Sequence, residues 1–175
     1  GICALGDVTL TNSTVIANQS AAGGAGIEIS DAATNAITIT LVSAVLAANI
    51  GPEGNFNPRI NNGGGVVLPV SHSLFGDDPA EINGTNSDNV FTDAPDLLGL
   101  AYNGCAVPAG APGNTACVQT HAVLPDSPVL DTGLNPLNLA TDQRGIGFPR
   151  VIGAAADIGA VEMYARPPQA NAIVD

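Results

Sequence analysis

Three short stretches in the first half of the chain alternate apolar and polar residues with a period of two. They are Asp7-Val8-Thr9-Leu10-Thr11, Gly26-Ile27-Glu28-Ile29-Ser30 and Ala36-Ile37-Thr38-Ile39-Thr40, all rich in Val, Ile or Thr. Such alternation is the signature of half-buried strands. Similar apolar phrases recur at Ser13-Thr14-Val15-Ile16-Ala17-Asn18, Ser43-Ala44-Val45-Leu46-Ala47-Ala48 and Ser71-His72-Ser73-Leu74-Phe75-Gly76. Val15 and Val45 stand 30 positions apart, and Val45 and Leu74 stand 29 apart. Glycine clusters precede an apolar strand twice, at Gly23-Gly24-Ala25-Gly26-Ile27 and Gly63-Gly64-Gly65-Val66-Val67.

A period near 30 residues with several short strands, Gly/Asn corners and no helix signal predicts an all-β parallel β-solenoid. One coil cannot bury its apolar face alone, so successive coils stack about 4.8 Å apart, at strand spacing. The pattern assigns Val8, Leu10, Val15, Ile27, Ile29, Ile37, Ile39, Val45 and Leu74 to the bore. Asn12, Asn18, Asn35 and Asn49 are expected at corners, where Asn tolerates the left-handed conformation. Residues 1–78 are read as coils and 79–165 as a terminal coil and capping segment of the same domain. Residues 166–175 are read as a Pro-containing tail, and 51–62 as a polar loop budding from one coil. The first coil, with Ile2-Cys3-Ala4-Leu5, has no capping character and is expected to expose a sticky strand edge. The chain starts at Gly1 inside repetitive sequence, without a charged and apolar leader, and is read as a piece of something longer.

Composition narrows the partners. The 175 residues carry a net charge of -12, and their only cations are Arg59, Arg144, Arg150 and Arg166. Such a surface repels phosphate backbones and anionic lipid, so nucleic acid is not expected as a partner. The longest apolar stretch, residues 36–50, is too short and too interrupted for direct membrane insertion. Aromatic residues make up 3% of the chain against 45% hydrophobic residues overall, so the core must be thin layers of Ala, Val, Ile and Leu. With 21 Gly and 13 Pro a mostly helical fold is excluded, and a mean hydropathy of +0.27 argues against disorder. Cys105 and Cys117 bracket a Pro/Gly-rich loop and are read as a disulfide pair, with two free thiols the alternative. Cys3 is then left over, as a buried small hydrophobe or a residue whose partner lies elsewhere.

The C-terminal half holds the most pointed phrases: Asp96-Leu97-Leu98-Gly99-Leu100, Ser127-Pro128-Val129-Leu130-Asp131-Thr132-Gly133, Thr141-Asp142-Gln143-Arg144-Gly145, Pro149-Arg150 and Asp157-Ile158-Gly159-Ala160-Val161-Glu162. From Asp96 to Glu162 these phrases resemble the choice-of-anchor Q family of bacterial extracellular proteins, itself similar to polymorphic outer-membrane proteins. The resemblance implies a right-handed parallel β-helix, secreted or displayed on a bacterial cell surface, whose last segment closes one end. The family's sorting tail is not found in this sequence, and the insertion between Cys105 and Cys117 departs from its short connection.

Read from the residues, this segment is turn chemistry between very short strands. Arg144 can fork to Asp131, Asp142 or Asp157 as a structural clasp. Calcium is the one cofactor that the Asp/Gly-rich loops suggest, although no Asp-x-Asp-x-Asp loop is present.

Other chemistry finds less support. Val129-Leu130-Asp131-Thr132-Gly133 has the apolar-apolar-Asp-Thr-Gly form of an aspartic-protease loop but lacks a second copy to share the proton. His121, Ser127 and Asp131 form no nucleophile elbow. His72 and His121 lack zinc-ligand neighbours. The sequons at Asn12, Asn18 and Asn83 read as corner stacks rather than glycan sites. A polysaccharide hydrolase needs paired carboxylates on one exposed face, for which Asp77-Asp78 is the nearest match. A lyase needs bases and cations that this chain scarcely has. The expectation is a non-catalytic extracellular structural or adhesive β-helix protein, acidic and self-associating or binding another surface protein or glycan. A carbohydrate-active β-helix and a calcium-dependent binding module are the alternatives.

Overall fold

A computed structural model describes residues 1–21, 24–29, 36–51, 66–76, 84–92, 94–104 and 117–163. Every regular element among them is a strand, and no helix occurs. Strands β1 (Ile2–Ala4), β2 (Val8–Thr11), β3 (Thr14–Ile16), β4 (Ile27–Ile29), β5 (Ile37–Val42) and β6 (Val45–Ala47) fill the first part. They are followed by β7 (Val66–Val67), β8 (Val70–Ser71), β9 (Leu74–Phe75), β10 (Asn86–Ser87) and β11 (Val90–Phe91). The strands pair in three parallel ladders, β1-β4, β2-β5-β8-β10 and β3-β6-β9-β11, with β7 also beside β5. Spatial order equals chain order, so each L-shaped pair of strands lies on the pair before it.

The ladders do not end at residue 78. β10 and β11 add a fourth L, with Asn86 beside Val70 and Val90 beside Leu74. The repeat is harder to see there because the strands are two residues long and only 16 positions separate Val90 from Leu74.

The corner of every L is one left-handed residue. Asn12, Ser43, His72 and Asp88 stack at φ 47°, 54°, 47° and 54°. Their backbones are tied tier to tier: Asn12 N–H donates to Val42 O, Ser43 N–H to Ser71 O, and His72 N–H to Ser87 O. The far ends of β3 and β6 turn at Ala17 and Ala48, φ 55° and 51°, not at the expected Asn18 and Asn49. Those two asparagines stack just beyond, as a side-chain ladder. Asn49 Oδ1 accepts from Asn18 N and Nδ2 at 3.0 and 2.8 Å, and Asn49 Nδ2 donates to Val15 O. The ladder offsets the strain of a Cβ in the left-handed region. Asn49→Ala is expected to cost about 1–3 kcal/mol, by orphaning Asn18 N–H; urea denaturation checks this. Asn35 lies outside the described residues.

Inside the L, Ile27, Ile29, Ile37, Ile39, Leu41, Leu46, Val70 and Phe75 form one core, with Val8, Leu10 and Val15 half-buried at its edge. Val45 and Leu74 are buried, but in a second core on the opposite face of β6 and β9, with Ala47, Val123, Val129 and Ile158. The expected bore assignment of these two is therefore corrected. Val15 pairs with Leu46, and Val45 with Thr14. The spacing is 31 rather than 30, and a one-residue slip sends a side chain to the other face. The continuous run Ala44-Val45-Leu46-Ala47 already carries the reason, since a strand covered on both faces does not alternate. Cys3 is a free, exposed thiol, not a buried hydrophobe. It sits on β1 between Ile2 and the buried Ala4, so the pleat turns it outward.

Candidate functional site

Residues 127–163 make no ladder of their own. They run through turns held by isolated antiparallel bridges, Gly133 to Ala156 and Thr141 to Pro149. With so little regular backbone pairing, N–H groups must find side-chain acceptors, and the acidic residues supply them. Asp142 Oδ1 accepts Arg144 N–H at 2.7 Å, and its Oδ2 accepts Glu162 N–H at 2.9 Å. Asp157 Oδ1 takes Asp131 N–H at 2.9 Å and Oδ2 takes Met163 N–H at 2.7 Å. Glu162 accepts Ile152 N–H and Asp157 N–H at 2.8 and 3.0 Å. Asp131 Oδ1 receives Ala154 and Ala155 N–H at 3.0 and 3.3 Å.

Arg144 clasps Asp142 alone of the three expected carboxylates. Its Nε and Nη2 lie 3.0 and 2.6 Å from Asp142 Oδ2, and both side chains are buried. Nη2 also donates to Glu162 O at 2.5 Å and Nη1 to Asn103 O at 3.3 Å. The guanidinium covers the Phe148 ring at 4.2 Å. Asp131 and Asp157 do not bind Arg144; Asp131 holds the Ala154 and Ala155 N–H groups, and Asp157 those of Asp131 and Met163.

The second arginine is the deeper one, and the clasp expected from the sequence left it out. Arg150 is 1% exposed, as is Glu162, and Asp157 is fully enclosed. Arg150 Nη2 donates to Asp157 O at 2.6 Å, and Nη1 stands 3.8 Å from Glu162 Oε2. Burial pushes the Glu162 carboxyl up to about 7, against the pull of two backbone N–H donors and Arg150. Burial likewise raises Asp157 and lowers Arg150 from their ordinary values. The legible signal for Arg150 and Glu162 was only their company: a scarce cation beside carboxylates in a chain of net charge -12.

This segment does not close an end of the ladders, as expected, but lies along their corner. Leu134 O accepts from Asn12 Nδ2 and Leu134 N–H donates to Ser43 Oγ at 3.0 Å. Gly159 N–H donates to Ser43 O at 2.9 Å and Ala160 N–H to Thr14 Oγ1 at 3.0 Å. Val129 and Ile158 complete the outer core over Val45 and Leu74. The outer face of β6 and β9 carries Val45, Ala47 and Leu74, and the lateral cover takes that apolar face out of water. The approach is close enough to need glycine. A Cβ on Gly133 would stand 2.4 Å from Ser43 Oγ and 2.6 Å from Asp157 O, and one on Gly159 2.7 Å from Thr14 Oγ1. Gly133→Ala is expected to cost about 1–3 kcal/mol through overpacking, read as a lowered urea midpoint with an unchanged m-value.

Comparison with protein-family models, curated proteins and solved structures found no match to this chain.

The seam between corner and lateral segment contains two cavities. One, of 420 Å³, is lined by His72, Asp88, Val90, Asp131 and Thr132 among others, with His72 Nε2 3.7 Å from Asp88 Oδ2. The other, of 480 Å³, is bounded by Asn12 and Arg150. His121, Ser127 and Asp131 are not brought together as a triad. His121 Nδ1 meets Leu98 O at 2.7 Å, Ser127 Oγ donates to Pro95 O at 2.7 Å, and Asp131 holds the 154–155 backbone. Among the described residues no group of three or more His, Cys, Asp or Glu is placed to hold a metal. Cys117 is disulfide-bonded; Cys105 lies outside the described residues, as do Asp77, Asp78, Arg59 and Asn83. The sequon Asn12 is buried.

Proposed function

We propose that this chain is part of a right-handed parallel β-helix of the choice-of-anchor Q kind, acting as a non-catalytic structural or adhesive protein outside a bacterial cell. The observation that carries the reading is the ladder edge. β1, β2 and β3 pair on one side only among the described residues, while four stacked corners repeat one backbone geometry. The strand edge beside half-buried Val8, Leu10 and Val15 is a template for another strand. Association through that edge, end to end, extends the same register. The acidic surface disfavours nucleic acid and anionic lipid and leaves proteins and glycans as partners.

Sedimentation velocity at rising concentration, with negative-stain electron microscopy, tests this. Concentration-dependent rods or filaments are expected, and a monodisperse monomer without filaments overturns the self-association.

One observation favours a second reading, a carbohydrate-active β-helix. Asp88 and Asp131 share the His72 cavity, which puts two carboxylates on one accessible groove, as glycoside hydrolysis requires. New reducing ends from a panel of neutral and acidic polysaccharides, lost in Asp88→Asn, would establish it.

For calcium the expected outcome is negative. The Asp142 and Asp157 oxygens already accept N–H donors, leaving poor ligands for a hard cation. EDTA is expected to leave the melting temperature unchanged in a thermal scan, and a fall of several degrees would restore calcium as a cofactor.

A further inference from the structure

Each tier makes the same bonds to the tier after it, counted from the left-handed corner. The corner N–H donates to the carbonyl just before the next corner, as Asn12 does to Val42, Ser43 to Ser71 and His72 to Ser87. Two residues before the corner, Leu41 N–H reaches Pro69 O and Val70 N–H reaches Thr85 O, at 3.0 and 2.7 Å. Two residues after it the bond runs the other way. Val45, Leu74 and Val90 N–H donate back to Ser13, Ala44 and Ser73 O at 2.8, 2.9 and 2.8 Å.

A side chain belongs to the pattern as well. Just after the corner, Ala44 N–H donates to Ser73 Oγ at 3.1 Å and Ser73 N–H to Asn89 Oδ1 at 2.9 Å. Ser73 Oγ is oriented to accept because its own proton goes to Ser71 O at 2.9 Å. Ser13 holds the same place on the first tier and sends its proton to Thr11 O, also at 2.9 Å. Its Oγ is thereby set to accept an N–H from a tier before it, and among the described residues no such tier exists. On the last tier, Asn89 N–H holds the matching donor position with no acceptor among the described residues.

We propose that the partner of the β1–β3 edge is the β10–β11 edge of a second copy, docked corner on corner as a continuation of the tier-to-tier contact within the chain. Asp88 N–H of one copy then donates to Thr11 O of the next, Asn86 N–H to Thr9 O, and Asn89 N–H to Ser13 Oγ. Thr14 N–H returns a bond to Asn89 O. The corners at the two ends, φ 47° at Asn12 and 54° at Asp88, match the two between them, so the join needs no change of backbone. The inner column Val15, Leu46, Phe75 and Phe91 runs on across it. Phe91, 39% exposed, comes to cover half-buried Val15. Asn86 is the polar member of its column and meets Leu10, with its Oδ1 already held by Asn89 Nδ2 at 2.8 Å. Asp88 comes to lie beside the neutral Asn12. The two edges differ, so the contact does not close on itself, and its repetition gives an open filament instead of a dimer. The inference rests on the self-association reading and adds which surface meets which.

The test uses chains with Cys3→Ser that carry either Thr9→Cys or Thr85→Cys, both at exposed positions. In the proposed register these two positions stand side by side, about 4.8 Å apart at Cα and within reach of a disulfide. Under mild oxidation, at a concentration where sedimentation shows oligomers, the mixture is expected to give covalent dimers on a non-reducing gel. Each variant alone is expected to stay monomeric there. Thr9→Cys chains that cross-link to one another would reveal head-to-head contact and overturn the proposal while self-association stands. Oligomers whose mixture yields no covalent dimer overturn it equally. Hydrogen exchange of the wild-type chain gives a readout that depends on no substitution. The amides of Asp88 and Asn89 on one edge and of Thr14 on the other are expected to exchange at least about tenfold more slowly in the oligomer than in the monomer. Oligomers that protect only one edge, or neither, contradict the proposal. A chain that sediments as a monomer at every concentration removes the self-association reading and this inference with it.

Discussion

Arg150→Met should destabilise the chain by about 3–5 kcal/mol at neutral pH, because it leaves buried carboxylates without their cation. Methionine fills a similar volume with an apolar chain, so the loss reports charge more than packing. Glu162 and Asp157 would then face each other in an enclosed site, with Arg150 Nη2 no longer donating to Asp157 O. Protonating Glu162 relieves that conflict. The loss is therefore expected to be smaller at about pH 5 than at about pH 8, whereas a purely steric defect would not change with pH. Urea denaturation of wild type and variant at both pH values measures the difference. An equal loss at both would remove Arg150 as the counter-charge of the cluster.

The wild-type chain should itself be most stable on the acidic side. Glu162 is raised from 4.5 to about 7 in the folded state by burial, and Asp157 is raised in the same direction. A carboxyl with a raised folded value binds its proton more tightly when folded than when unfolded. Its contribution is fully present below the ordinary carboxylate value and is lost as pH rises through about 7. For Glu162 alone the change is at most about 3 kcal/mol. The net charge of -12 adds self-repulsion with the same sign. Stability measured in urea from about pH 5 to about pH 8 should fall, and Glu162→Gln should flatten the fall. A wild-type profile that rises over this range would show that Glu162 is held ionised by Arg150. Because the cluster pins the lateral segment to the corner, its loosening at higher pH should appear first as faster hydrogen exchange at Gly133, Gly159 and Ala160.

How far these features were legible depended on their periodicity. Ile37-Thr38-Ile39-Thr40 alternates, and its strand and inward side are what the residues announce, because a pleat offers only two faces. The pattern marks Val45 and Leu74 as buried, but they face the outer core and not the inner one. No local pattern distinguishes a spacing of 30 from one of 31, and the choice falls to the corner bonds at Asn12 and Ser43. In the irregular segment Asp142 lies two residues from Arg144, and that local pairing could be foreseen. Glu162 lies 12 positions from Arg150, across turns with no repeat, so nothing in the chain's pattern brings them together.

By itself, then, the sequence determined strands of Val, Ile and Thr, tight corners, a thin aliphatic core and an acidic surface. These follow from side-chain shape and pleat period, which act over a few residues. Only the tertiary structure decided that residues 127–163 lie along the corner rather than over an end. It also decided that Arg150, not Arg144, is the buried centre, and that Asn12 and Arg150 face one cavity. Those outcomes turn on which apolar face was left uncovered once the ladders had stacked, and on which N–H groups then lacked acceptors. Both are sums over the whole fold that no single stretch of the chain contains.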